Sequence, residues 1–123
     1  MSMRTTNMLI GNPSMLDQTG LATRADGYYG FADGMHTVAF YLKNFKGRLV
    51  IEASLSDNPA ESDWFPIGLG NGTTYFSVNS IETKVETFNI VGNFVYLRAK
   101  VLRSYLNETA DRLGACERVV LSL

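Results

Sequence analysis

Thr37-Val38-Ala39-Phe40-Tyr41-Leu42-Lys43, followed after a four-residue link by Arg48-Leu49-Val50-Ile51-Glu52-Ala53-Ser54-Leu55, is the stretch on which the fold turns. Val38, Phe40 and Leu42 alternate with Thr37, Ala39, Tyr41 and Lys43, and Leu49, Ile51, Ala53 and Leu55 do the same against Arg48, Val50, Glu52 and Ser54. A period of two sends alternate side chains to opposite faces, so each run reads as a strand with one buried side. The link Asn44-Phe45-Lys46-Gly47 contains a glycine, and the pair is therefore expected to form a hairpin.

The same period recurs downstream. Residues 73–79 are rich in aromatic and β-branched types, and residues 81–91 alternate for nearly their whole length. Gly92-Asn93 then turns the chain into 94–103, where Val95, Leu97, Ala99 and Val101 point one way and Arg98 and Lys100 the other. The final run, 117–123, sets Val119, Leu121 and Leu123 on one face. Helical patterning is confined to 105–113, with Asn107 or Thr109 as caps. About six or seven short strands joined by Gly, Asn and Ser turns predict an all-β fold, an antiparallel β-sandwich of jelly-roll or Ig-like topology. Residues 26–123 form this sandwich domain. Residues 1–25 have no steady period and read as an extended N-terminal arm, ordered by laying Met8, Leu9, Ile10, Met15 and Leu16 along a neighbour or along its own domain.

Composition narrows the function classes. The 123 residues suffice for one domain that folds without metal or disulfide help. With a net charge of -1 the chain has no electrostatic reason to bind nucleic acid. The single Cys116 rules out an internal disulfide, and the apolar run Met8-Leu9-Ile10 is too short for a secretory signal. No stretch approaches the roughly 18 apolar residues of a membrane helix.

The chemistry-bearing residues are few. His36 is the only histidine, it opens an alternating strand, and no nucleophile elbow accompanies it. One Cys and one His do not make a zinc site. Asp57, Glu61 and Asp63 form an acidic loop suited in type to calcium, but without the spacing or central glycine of an EF-hand. The glycine-rich 68–73 segment lacks the lysine and following helix of a phosphate loop. No catalytic residue, cofactor or metal is therefore expected, and the chain reads as a non-enzyme. Tyr28, Tyr29 and Phe31, bracketed by Asp26-Gly27 and Asp33-Gly34, suit a protein contact or the capping of the sandwich end. Trp64 follows the acidic loop and offers a stacking platform.

The succession Asp26-Gly27-Tyr28-Tyr29-Gly30-Phe31, His36-Thr37-Val38, Gly47-Arg48-Leu49-Val50-Ile51-Glu52, Asp63-Trp64-Phe65-Pro66-Ile67 and Gly92-Asn93-Phe94-Val95-Tyr96-Leu97-Arg98-Ala99 resembles small structural proteins of tailed bacteriophages, of the cyanophage and marine myophage type. The resemblance runs from about 26 to 101. It implies a virion accessory, a capsid decoration or a neck, tail or baseplate part. Such a part would be assembled in the host cytoplasm, repeated in many copies and held by protein-protein contacts to major capsid or tail proteins. The expected contact residues are Met8, Leu9, Ile10, Met15, Leu16, Tyr28, Tyr29, Phe31 and Trp64. The same strand pattern is similar to carbohydrate-binding sandwiches. That alternative would use Trp64, Tyr75 or Tyr28 as stacking platforms for a glycan and the acidic loop as a cation site.

Overall fold

The computed structural model describes residues 5–11, 15–25, 35–69, 74–92, 94–109 and 112–122. In chain order the strands are β1 (Thr5–Ile10), β2 (Gln18–Thr19), β3 (Thr23–Arg24), β4 (Met35–Ser54), β5 (Phe65–Pro66), β6 (Phe76–Val91), β7 (Tyr96–Leu102) and β8 (Ala115–Ser122). All pairings among the described residues are antiparallel, and the fold is the all-β antiparallel sandwich that the alternation predicts.

β4 is the spine. Its first half lies between β8 and β6: Thr37 faces Ser122 on one side and Asn89 on the other. Its second half lies between β7 and β6, then between β7 and β5: Arg48 faces Leu102 and Ser77, and Glu52 faces Arg98 and Pro66. β1 extends the first half beyond β8, and β2 and β3 extend the second beyond β7. The inward residues of both halves, Val38, Phe40 and Leu42 with Leu49, Ile51 and Ala53, belong to one core together with Leu97, Ala99, Val101, Val119 and Leu121. Phe88 belongs to it as well, edge-on to Phe40 at 5.8 Å and to the partly buried Phe76 at 5.4 Å between ring centroids. Each such ring or branched side chain taken from water adds about 1.5–3 kcal/mol.

The expected hairpin at 44–47 is corrected: β4 runs through it as one strand of 20 residues. Irregularities between Leu42 and Phe45 and between Phe45 and Gly47 absorb the link while β6 pairs on both sides of it. Asn44 is left-handed at φ 50° and Gly47 has φ 153°, so the backbone bends instead of reversing. Asn44 N donates to Thr83 Oγ1 at 2.9 Å and Lys46 N to the Leu113 carbonyl at 3.2 Å. Phe45 is fully buried, which an exposed hairpin tip would not allow. Likewise the runs expected at 73–79 and 81–91 join over Phe76–Val91 as the single β6. Among the described residues of 105–113 the helical expectation is met by short 3-10 geometry, a turn at Ser104–Leu106 closed by left-handed Asn107 and the bond from Arg112 N to the Thr109 carbonyl at 3.1 Å.

The separate arm at 1–25 is also corrected over its described residues. β1 pairs with β8 along its length, and Met8 and Leu9 are buried in the core, Met8 completely. Leu21 N donates to the Met8 carbonyl at 3.1 Å and Gly20 N to the Ala99 carbonyl at 2.7 Å. The 18–25 segment thus stitches β1 to β7 and nearly closes the sandwich into a barrel. Closing the seam removes exposed strand edges, a gain available without any neighbour.

Arg103, 1% exposed, clamps this arrangement. Its guanidinium donates to the carbonyls of Leu16, Leu113 and Gly114, at 3.2, 3.1 and 2.6 Å, and to that of Met15. Leu16 and Met15 therefore serve through their backbone; the Met15 side chain is exposed.

Candidate functional site

β4 and β7 lie in register, Glu52 opposite Arg98, Val50 opposite Lys100 and Arg48 opposite Leu102. Because Leu97, Ala99 and Val101 point into the core, Tyr96, Arg98, Lys100 and Leu102 face outward, as do Arg48, Val50 and Glu52. The six steps from Tyr96 to Leu102 along β7 give this outer face a length of about 20 Å.

The chain leaving β4 folds back over one end of it. Ser56 N donates to Ser54 Oγ, Asn58 N to Ser56 Oγ, and Ala60 N to Asp63 Oδ2 at 2.7 Å, so each step of the loop is held by a short-range bond. The 3-10 turn Glu61–Asp63 follows and delivers Glu61 and Trp64 above β7. Arg98 is caught between them. Its Nε donates to Glu52 Oε1 at 2.7 Å, its two terminal nitrogens fork onto Glu61 at 3.3 and 2.8 Å, and its guanidinium carbon lies 4.3 Å from the centre of the Trp64 ring. The Glu61 bond, outweighing burial, raises the Arg98 pKa, and the same bond lowers that of Glu61. Arg98 is only 7% exposed, although the alternation reads it as an outward, solvated residue; the returning loop covers it. Trp64, half-buried, is thereby fixed on a cationic plate and lines a cleft of about 520 Å³ with Tyr96, Arg24, Asp57 and Asn58.

A second cleft, about 230 Å³, opens on the same sheet face, lined by Arg48, Val50, Glu52, Tyr75, Lys100 and Leu102 among others. The Arg48 guanidinium lies 4.6 Å from the Tyr75 ring centre and 4.2 Å from that of Tyr105. Glu52 belongs to both regions: it lines this cleft, holds Arg98 of the first, and lies 4.0 Å from Lys100 Nζ.

The remaining sequence candidates fall elsewhere. Of the expected contact residues, Met8 and Leu9 are core, Ile10 is a ladder position opposite Arg118, and Tyr28, Tyr29 and Phe31 lie outside the described residues. Trp64 and Tyr75 are brought to one face but into different clefts. His36 is buried with its ring 6.4 Å from that of Phe94. Burial pushes the Cys116 thiol up to about 12, so it stays protonated and inert. Glu61 and Asp63 of the acidic loop are engaged by Arg98 and by the Ala60 amide, and among the described residues no three His, Cys, Asp or Glu side chains gather as metal ligands would. No helix among them is long and apolar enough to cross a membrane. Arg24, Arg48 and Tyr105 are site residues the alternation did not single out, whereas Tyr96 and Lys100 lie on the outward phase that it marks for contacts. The available signal was Glu52 facing Arg98 across two strands, an opposite-charge pair on the outward phase.

No protein-family model matches the chain, and no curated protein matches it. Among solved structures it is similar to CBM29_1, a family 29 carbohydrate binding module from Piromyces equi, with 10% identity over 98% of this chain and 91% of that chain and a TM-score of 0.49.

Proposed function

We propose that the protein is a carbohydrate-binding β-sandwich module whose primary contact is the Trp64 cleft. The observation that carries the reading is the Trp64 ring braced by Arg98 in a cleft that also presents a second aromatic, Tyr96, an amide, Asn58, and a carboxylate, Asp57. A pyranose has an apolar C–H face and a rim of hydroxyls. It is met by a rigid ring for the face and a few convergent donors and acceptors for the rim. Bracing matters because a side chain ordered beforehand loses no rotamer entropy on binding.

The test is affinity gel electrophoresis of the full chain through a panel of soluble polysaccharides, with Trp64→Ala beside wild type and Tyr41→Ala as a control on the opposite half of β4. At least one polysaccharide should retard wild type and the Tyr41 variant, with affinity falling about 30-fold or more in Trp64→Ala, the loss of a central aromatic anchor. Binding should survive a chelator, since Glu61 and Asp63 are already engaged. Retardation by none of the polysaccharides, or retardation unchanged in Trp64→Ala, overturns the reading.

A second reading, a structural part of a phage virion repeated in many copies, is favoured by one observation. The outward side of β6 exposes Ile81, Val85 and Val91, the last at 70%. Exposed apolar side chains spaced along one face of a strand, with Thr83, Thr87 and Asn89 between them, suit contact with capsid or tail proteins. Mass spectrometry of purified virions tests it, and absence of the chain from the particles rejects it.

A further inference from the structure

The second cleft differs from the first in charge. In the Trp64 cleft the buried cation, Arg98, is neutralised by Glu52 and Glu61. In the Tyr75 cleft Arg48 forms no ion pair with a described residue, and its Nε is buried without a hydrogen-bond acceptor. Lys100 stands diagonally across the strand pair from Arg48, a separation of about 7–8 Å, and its contact to Glu52 is long at 4.0 Å. Two rings, Tyr75 and Tyr105, lie against the Arg48 guanidinium and hold it where it lines the cleft. A planar, pre-oriented fork beside an ammonium group matches a carboxylate or a sulfate ester, which accept two parallel N–H bonds, far better than it matches a neutral hydroxyl.

We infer that the cleft lined by Arg48, Tyr75 and Lys100 is a subsite for the anionic group of an acidic glycan, a uronate carboxylate or a sugar sulfate, on the same glycan that the Trp64 cleft holds. The inference rests on the glycan-binding reading and narrows its ligand class. The two clefts share one sheet face about 20 Å long, joined by the Glu52–Arg98 pair, so a linear oligosaccharide can lie across both. Among the described lining residues of the second cleft Glu52 is the one acidic side chain. Its carboxylate is held by Arg98, which lessens its repulsion of an incoming anion.

The experiment is titration calorimetry of the full chain with oligogalacturonate and alginate oligosaccharides, with a sulfated galactan oligosaccharide, and with neutral glucomannan and β-glucan oligosaccharides. Wild type is compared with Arg48→Gln, Lys100→Gln and Arg48→Lys, each checked for a wild-type circular dichroism spectrum. One of the acidic ligands should bind most tightly, and which one distinguishes carboxylate from sulfate. Its affinity should fall about tenfold in Arg48→Gln, the loss of a charge-assisted bond, less in Lys100→Gln, and weaken with added salt. Arg48→Lys, which keeps the charge and loses the fork, should recover only part of the affinity. If a variant misfolds, the salt dependence of wild type decides in its place. Neutral glycans binding as tightly as acidic ones, or an Arg48→Gln variant with unchanged affinity for the acidic ligand, overturns this inference and leaves the glycan reading standing. Binding of no glycan removes both.

Discussion

Residues 35–43 and 48–54 of β4 bury the same kind of side chain, Val38, Phe40 and Leu42 in one case and Leu49, Ile51 and Ala53 in the other, yet different things happen above them. Outward of the first half, Thr37 bonds Asn89 at 2.9 Å and Tyr41 lies under Arg118, with Val85 and Val91 of β6 exposed nearby. Outward of the second half, the 55–64 loop returns with Glu61 and Trp64, and Tyr75 and Tyr105 close on Arg48. Alternation along a strand decides which face is inside. Whether the other face becomes a site depends on connections that return over it, and those bring aromatic and charged groups from positions distant in sequence.

The two halves meet at the bend of β4, so the sharpest way to break the comparison is to break the bend. Arg103 packs there, 5.5 Å from the centre of the Phe45 ring, while its guanidinium satisfies carbonyls on both the 15–16 and 113–114 segments. Arg103→Met keeps an unbranched, flexible apolar stem and removes every side-chain donor. Several buried acceptors are then unpaired, at about 1–3 kcal/mol each before water reaches them, so a loss of about 3–5 kcal/mol is expected in urea unfolding. A midpoint equal to wild type would mean that the bend is held by packing alone.

Gly47→Ala attacks the same place from the backbone. At φ 153° a side chain is strained, at about 1–3 kcal/mol for a conformation that is nearly glycine's own. The new Cβ would also lie 2.6 Å from Arg103 Cγ and 3.0 Å from the Leu102 carbonyl oxygen. A lowered melting temperature is expected, smaller than that of Arg103→Met because the Arg103 stem can move. An unchanged melting temperature would place the strain elsewhere.

These two positions also mark where the sequence was legible and where it was not. The inward phase of 38–42, 49–53, 97–101 and 119–121 is a period-two signal within one segment, and each of those residues is buried as its alternation requires. The bend was misread as a hairpin because a glycine in a four-residue link has two solutions, a reversal or a bulged continuation. Only the pairing of β6 with both halves selects between them, and that is a contact between segments tens of residues apart. Phe45 within the link was the local clue, since a hairpin tip would expose it. The N-terminal segment was misread for a related reason. Met8 and Leu9 are apolar without a long period, and what orders them is β8, at the far end of the chain. Of the site, Trp64 was legible as an aromatic after an acidic loop. Its pairing with Arg98 was not, because a strand pattern marks an arginine as outward and has no information about loops that cover it.

The smallest expected effect lies at the foot of the same clamp. Asp17 Oδ1 accepts from Arg103 N at 2.8 Å and Ser104 N at 3.0 Å, and Oδ2 accepts from Ser104 Oγ at 2.7 Å, so this carboxylate caps the turn that follows β7. Burial pushes its pKa up, but the three hydrogen bonds, aided by Lys100, outweigh it and hold the folded value below 3.8. With the folded pKa lower than the unfolded one, the carboxylate's contribution is complete above the unfolded value and is lost as pH falls through the folded value. Asp17→Asn keeps the shape and removes the charge. The stability gap between wild type and variant is expected to be about 1 kcal/mol near neutral pH, the size of a capping bond, and to shrink toward zero in acid. Chemical unfolding at a series of pH values measures it, and a gap that does not change with pH would mean that the cap acts through shape and not through charge.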